Sequence, residues 1–135
     1  MGENAVDVAK RFLNTISELG SPVAIERCTT EDFVWWSPGV GEVQDTMPAR
    51  WKVIVDNLSS GIRIDIQSVI SEGDRVAIEA TSNGVLKNGT VYLNHCHFLL
   101  VIRGDRVAVA KEYGDSAHLA AVWGPIFARE LATPS

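Results

Sequence analysis

The chain has no basic stripe: its 12 Lys and Arg are scattered singly against 17 Asp and Glu, for a formal charge of -5. That balance argues against nucleic acid or an anionic membrane surface as a partner, because nothing is arranged to neutralise phosphates. Long apolar runs are missing too. The longest, 98-FLLVI-102, suits a strand and falls far short of the roughly 18 residues a membrane span requires. Cysteine is scarce, with only Cys28 and Cys96. The opening MGENAVDVAK lacks the apolar core of a secretory signal, so reduced thiols and a cytoplasmic location are expected. Repeats and low-complexity segments are absent. Metal ligands are few: His95 and His97 form an HxH with His118 as a distant third, and no acidic or Cys partner sits at ligand spacing. We therefore expect no metal, and read the His pair as surface or dimer contacts.

What remains is a chain of 135 residues, 46% hydrophobic and 21% charged, enough for one domain over 1–135 with a core that needs no disulfide. Ala5, Val8, Ala9, Phe12, Leu13, Ile16 and Leu19 recur at helical steps until Gly20-Ser21-Pro22 stops them. A short helix over 22–28 follows, capped by Ser21, and 29-TTED-32 reads as a turn. The aromatic run 33-FVWWS-37 reads as a short strand ended by Pro38-Gly39, with 38–45 a loop. A third helix, capped by Asp45 or Thr46, is expected to run to about Leu58. From Gly61 the period switches to alternation, predicting strands over 62–71, 75–86, 90–102 and 106–114, joined at Gly-containing turns. The tail predicts a short helix from 116, broken at Gly124-Pro125. Helices followed by an antiparallel meander give an α+β class, with N-terminal helices packed on a curved antiparallel sheet.

The stretch 91-VYLNHCHFLLVIRGDRVAVAKEYGD-115 carries the strongest signal. Alternation puts Tyr92, Asn94, Cys96, Phe98 and Leu100 on one face and Leu93, His95, His97, Leu99 and Val101 on the other. Both faces are mostly apolar, so each should be covered, the outer one by a second copy in a homodimer. In 76-VAIEATSNG-84 one face carries Val76, Ile78 and Ala80 and the other Ala77, Glu79, Thr81 and Asn83. Alternation alone leaves open whether the second face meets a pocket or solvent. Glu112 shares its face with the small residues Ala108 and Ala110, which would leave room for a ligand beside it; pairing with a basic neighbour at the sheet edge is the other reading.

Three helices, a short strand and a meander containing NHCHF, a Gly-Asp turn and 111-KEYGDSAHL-119 together resemble the cone-shaped fold of the nuclear transport factor 2-like superfamily. The branch resembled is that of the SnoaL-like polyketide cyclases, ketosteroid isomerases and limonene-epoxide hydrolases. The resemblance covers about residues 5 to 122. It implies a deep apolar pocket in the cone that takes a small hydrophobic molecule without a cofactor. Where ketosteroid isomerases carry a tyrosine and two acids, this chain has Phe12, Ser37 and either Asn94 or Cys96. Where the epoxide hydrolases carry an Arg, its paired Asp and a final Asp, it has Glu79, Thr81 and Glu112, with Ser37 replacing an Asn. The resemblance implies that the Glu79 face lines the cone.

Two carboxylates sharing such a cavity would divide into an acid and a base. Glu79 and Glu112 are thus the expected catalytic pair, acting on a hydrophobic cyclic or aromatic substrate as an isomerase, cyclase, hydratase or lyase. Ser37, Thr81 and Asn94 are candidate hydrogen-bonding residues, and Phe12, Trp35, Cys96 and Phe98 candidate walls; Cys96 is read as an inert thiol. The alternative is a non-catalytic binding or dimeric interaction module on the same fold.

Overall fold

The computed structural model describes residues 4–131. Helices α1 (Ala5–Leu19) and α2 (Ser21–Cys28) lead into β1 (Thr29–Ser37) and β2 (Gly41–Glu42). Helix α3 (Met47–Asn57) precedes the meander β3 (Arg63–Glu72), β4 (Arg75–Val85), β5 (Val91–Arg103) and β6 (Arg106–Gly114), and α4 (Ser116–Glu130) closes the chain. The strands form one sheet in the order β2-β1-β6-β5-β4-β3. Its register slips between Ile66 and Ser68 and between Val101 and Ile102, irregularities of the kind that bend strands around a core.

Helix α1 buries Val8, Ala9, Phe12, Leu13 and Ile16 against the inner face of the sheet, and the Asn4 side chain caps it by accepting from the Asp7 N–H at 2.9 Å. Gly20 makes the bend into α2 with φ +97°, and a Cβ there would lie 2.6 Å from Trp51 Nε1. Only glycine fits both demands. Edge strand β3 has its Ile64 N–H satisfied by Ser17 Oγ of α1 at 2.8 Å.

Four expectations are corrected. The polar 29–32 segment is strand, because β1 begins at Thr29 and runs parallel to β6, with Thr29 opposite Val107 and Trp35 opposite Ala110. The sheet is therefore mixed rather than antiparallel throughout. Within 38–45, Gly41 and Glu42 form β2 against Ser37 and Trp36. Gly124-Pro125 does not break the last helix: α4 continues through Pro125 to Glu130, because Trp123 and Ile126 are buried on one side of it. That packing outweighs the one backbone bond proline removes.

The apolar interior divides in two. One cluster joins α1 and α2 to Phe33, Trp35, Ile78, Cys96, Phe98 and Leu100 of the sheet. The other gathers Val53 and Leu58 of α3 and its end, Ile62, Leu86, Tyr92, and Trp123 and Ile126 of α4. Trp51 packs against both.

Candidate functional site

Glu112 adjoins the first of those clusters through Trp35 and Phe98. It lies opposite Phe98 on β5, two residues beyond Ala110, the register partner of Trp35. The Trp35 indole N–H donates to Glu112 Oε1 at 3.1 Å. Trp35 is itself fixed: its backbone N–H donates to Gln44 Oε1 at 3.0 Å, its carbonyl accepts from Val43 at 2.7 Å, and its ring packs against Phe12 and Phe33. Glu112 is half-buried, with its carboxyl held against the Trp35 indole. Burial pushes that carboxyl above the usual carboxylate range, opposed by the Trp35 hydrogen bond and by attraction to Arg50.

The face of β5 given by alternation is the inner one: Tyr92, Asn94, Cys96, Phe98 and Leu100 are all buried. Burial pushes the Cys96 thiol up to about 12, with the negative charge of Glu112 adding to the effect, so it is no nucleophile near neutrality. Phe98 is buried beside Glu112 in the register, as a wall. Phe12 is fully buried behind Trp35, and so supports the wall rather than forming it. Ser37 ends β1 half-buried, on the same side of the strand as Trp35.

Glu79 does not join this group. It is exposed on the outer face, across from His97, with Ser68 Oγ donating to its carboxylate at 3.3 Å. Thr81 shares that outer face opposite His95. The inward positions of β4 are Val76, Ile78 and Ala80, the apolar set, which removes water at no electrostatic cost. Glu112 is thus without the second carboxylate expected beside it. Glu79→Gln should leave stability within about 0.5 kcal/mol of wild type and turnover unchanged, checked by urea melts and rate assays. A large loss of turnover would return Glu79 to the site.

Asn94 is inward but already engaged. Its Oδ1 accepts from the Asp115 N–H at 2.8 Å, and its Nδ2 donates to Asp115 O and to Tyr92 Oη, each at 3.0 Å. It clips the end of β6 to β5, and Gly114 makes room, since a Cβ there would lie 3.1 Å from Asn94 Oδ1. It is a structural amide rather than a substrate donor. Asp115 then caps α4, accepting from the His118 N–H at 3.1 Å. His118 stacks on Tyr92 with ring centres 5.3 Å apart and accepts the Leu93 N–H at Nε2.

Tyr92 and Arg50 were missed as site residues. Tyr92 shares the alternation face that marked Asn94, and burial holds its phenol above the ordinary value. Among the described residues its hydroxyl proton has no acceptor, so it is open to donate. Arg50 gave no signal, because nothing in the sequence ties α3 to β6. His95 and His97 are exposed on the outer face. Two solvent-open grooves, of about 640 Å³ beside α1 and β3 and about 560 Å³ on the sheet around Glu79, His97 and Tyr113, are not lined by Glu112. No helix among the described residues is long and apolar enough to cross a membrane.

Four helices packed with a six-stranded curved mixed sheet make this an α+β protein of the cone-shaped nuclear transport factor 2-like fold. The chain belongs to the SnoaL-like domain family, whose sequence profile matches residues 9–110. Among solved structures it is similar to a putative polyketide cyclase from Streptomyces antibioticus, at 14% identity and TM-score 0.72, covering 90% of this chain and 99% of the other. A putative hydroxylase from Streptomyces galilaeus matches at 15% identity and TM-score 0.72, over 90% and 96% of the two chains. An epoxide hydrolase of the limonene-epoxide hydrolase-like type from M. tuberculosis matches at 15% identity and TM-score 0.67, over 94% and 91%. No curated protein matches the sequence.

Proposed function

We propose that the protein is a cofactor-independent enzyme that moves a proton on a hydrophobic cyclic or aromatic small molecule, as an isomerase, cyclase, hydratase or lyase, with Glu112 as its acid/base group. The observation that carries this reading is the buried Glu112 carboxyl, held by the Trp35 indole at 3.1 Å. A carboxyl with a raised pKa keeps its proton where a surface carboxylate has lost it, and can give it to substrate. The Trp35 bond fixes one oxygen and leaves the other to face the reactant. One carboxyl suffices for an isomerisation, since the group that takes a proton from one atom returns it to another. Tyr92 Oη supplies a donor for a substrate oxygen that gains charge. The test is exchange: a panel of cyclic ketones incubated with enzyme in D2O should gain deuterium at acidic C–H positions, read by mass spectrometry. Failure of cyclic ketones, phenols and epoxides alike to react would leave a binding protein.

That second reading, a non-catalytic binding module, draws on the outward placement of Glu79 and the full engagement of Asn94, which leave Glu112 without the expected acid/base partner. The members of this fold family named as enzymes favour the first.

In either reading we infer a cytoplasmic homodimer through the outer face. Leu93 and Tyr113 are 47% and 40% exposed there, beside His95, His97, Leu99 and Val101. Light scattering at micromolar concentration should give twice the chain mass; a monomer would sink the inference.

A further inference from the structure

Arg50 has an unusual situation for a cation. It stands half-buried in the first turns of α3, its guanidinium carbon 5.4 Å from the centre of the Phe127 ring on α4. Stacking of this kind occupies a face of the guanidinium and leaves its N–H edge open. Among the described residues that edge has no acceptor. Two acids of α3 and α4 are taken up by other cations: Asp56 holds Lys52 at 2.6 Å, and Glu130 holds Arg129 at 2.7 Å and accepts from Asn57. Glu112 feels the charge of Arg50, yet the two make no ion pair within 4.0 Å. A half-buried guanidinium whose charge reaches the Glu112 carboxyl, packed on an aromatic ring and without a hydrogen-bond acceptor among the described residues, is suited to recognise an anion.

We infer that Arg50 is the specificity-determining residue of a ligand site at Glu112, and that the substrate is a hydrophobic cyclic or aromatic molecule bearing one anionic oxygen group, a carboxylate or an ionised enol. This rests on the proposed function, read as placing a ligand recess at Glu112. The planar fork of Arg suits a carboxylate with two parallel hydrogen bonds, and Phe127 limits the entropy lost in forming them. Trp51, next in the chain and packed on both clusters, ties α3 in place so that the fork is presented from a fixed element. In turnover Arg50 would hold the substrate's charge while Glu112 handles the proton.

The experiment is calorimetric titration with 2-naphthoate and its neutral isostere 2-naphthamide. Wild type should bind the carboxylate at least about tenfold tighter than the amide. Arg50→Gln should abolish that preference by weakening the carboxylate alone, and Arg50→Lys, which keeps the charge, should retain part of it. Glu112→Gln should leave the preference in place. Thermal melts of both Arg50 variants control for folding. Equal affinities in wild type, or parallel weakening of both probes in Arg50→Gln, would overturn the assignment of Arg50 while leaving the recess as the ligand site. Binding of both probes that is indifferent to Trp35→Phe and Phe98→Ala alike, or no binding of either at millimolar concentration, would remove the recess reading and this inference together.

Discussion

Replacing Glu112 by Gln should lower turnover by about two to four orders of magnitude with little change in binding, since the amide keeps the shape and the Trp35 contact but cannot transfer a proton. Stability should move the other way. The folded pKa of Glu112 lies above its unfolded value, so the native state holds the proton longer than the unfolded chain. Folding then loses free energy as pH rises from the ordinary carboxylate range through the folded pKa, and the loss stays constant above it. Glu112→Gln removes this penalty. The variant should therefore match wild type in acid and become relatively more stable toward neutrality, as read from urea midpoints across pH. Equal activity with no such divergence would mean that the carboxyl is neither catalytic nor strained by burial.

Trp123→Ala should produce the largest loss of stability of any single change considered, about 3–5 kcal/mol. Trp123 is 1% exposed, packs edge-on to Tyr92 with ring centres 5.9 Å apart, and stacks on Phe127 at 5.8 Å. It is the anchor by which α4 closes the second core cluster. Against a total stability of about 5–15 kcal/mol, such a loss brings the domain near its threshold. Chemical denaturation checks it. A cost below about 1 kcal/mol would mean that α4 is not docked as described.

The fold was legible in the sequence because its periodicities are local. Alternation over 92–100 marked the inner face of β5, and the glycine turns marked the hairpins. The site was legible only where a signal of that kind reached it. The inward placement of Glu112, Trp35, Cys96 and Phe98 followed from strand period, but that of Glu79 did not, because a period of two says which residues share a face and not which face is inside. The better guide was the cost of burial: Val76, Ile78 and Ala80 give up water freely, whereas Glu79 would not. Asn94 was misjudged for a different reason. Its partner is a backbone 21 residues away, and no local pattern shows that its donors are already used. The persistence of α4 past Pro125 and the approach of Arg50 to Phe127 likewise depend on tertiary contact alone.

The parallel pairing of β1 with β6 sets the order in which this molecule can become competent. Trp35 and Glu112 are 77 residues apart in sequence, and the bond between them forms only when the first strand docks on the last one of the meander. Closing so long a loop is entropically slow, so the hairpins, whose contacts are local, should assemble first. During synthesis the helices and β1 emerge well before their partner strand exists, and wait with aromatic side chains uncovered. The Trp35 indole therefore serves as a late reporter in refolding: its fluorescence should reach the native value only in the final phase, together with the ability to bind ligand, after most of the sheet's circular dichroism has returned.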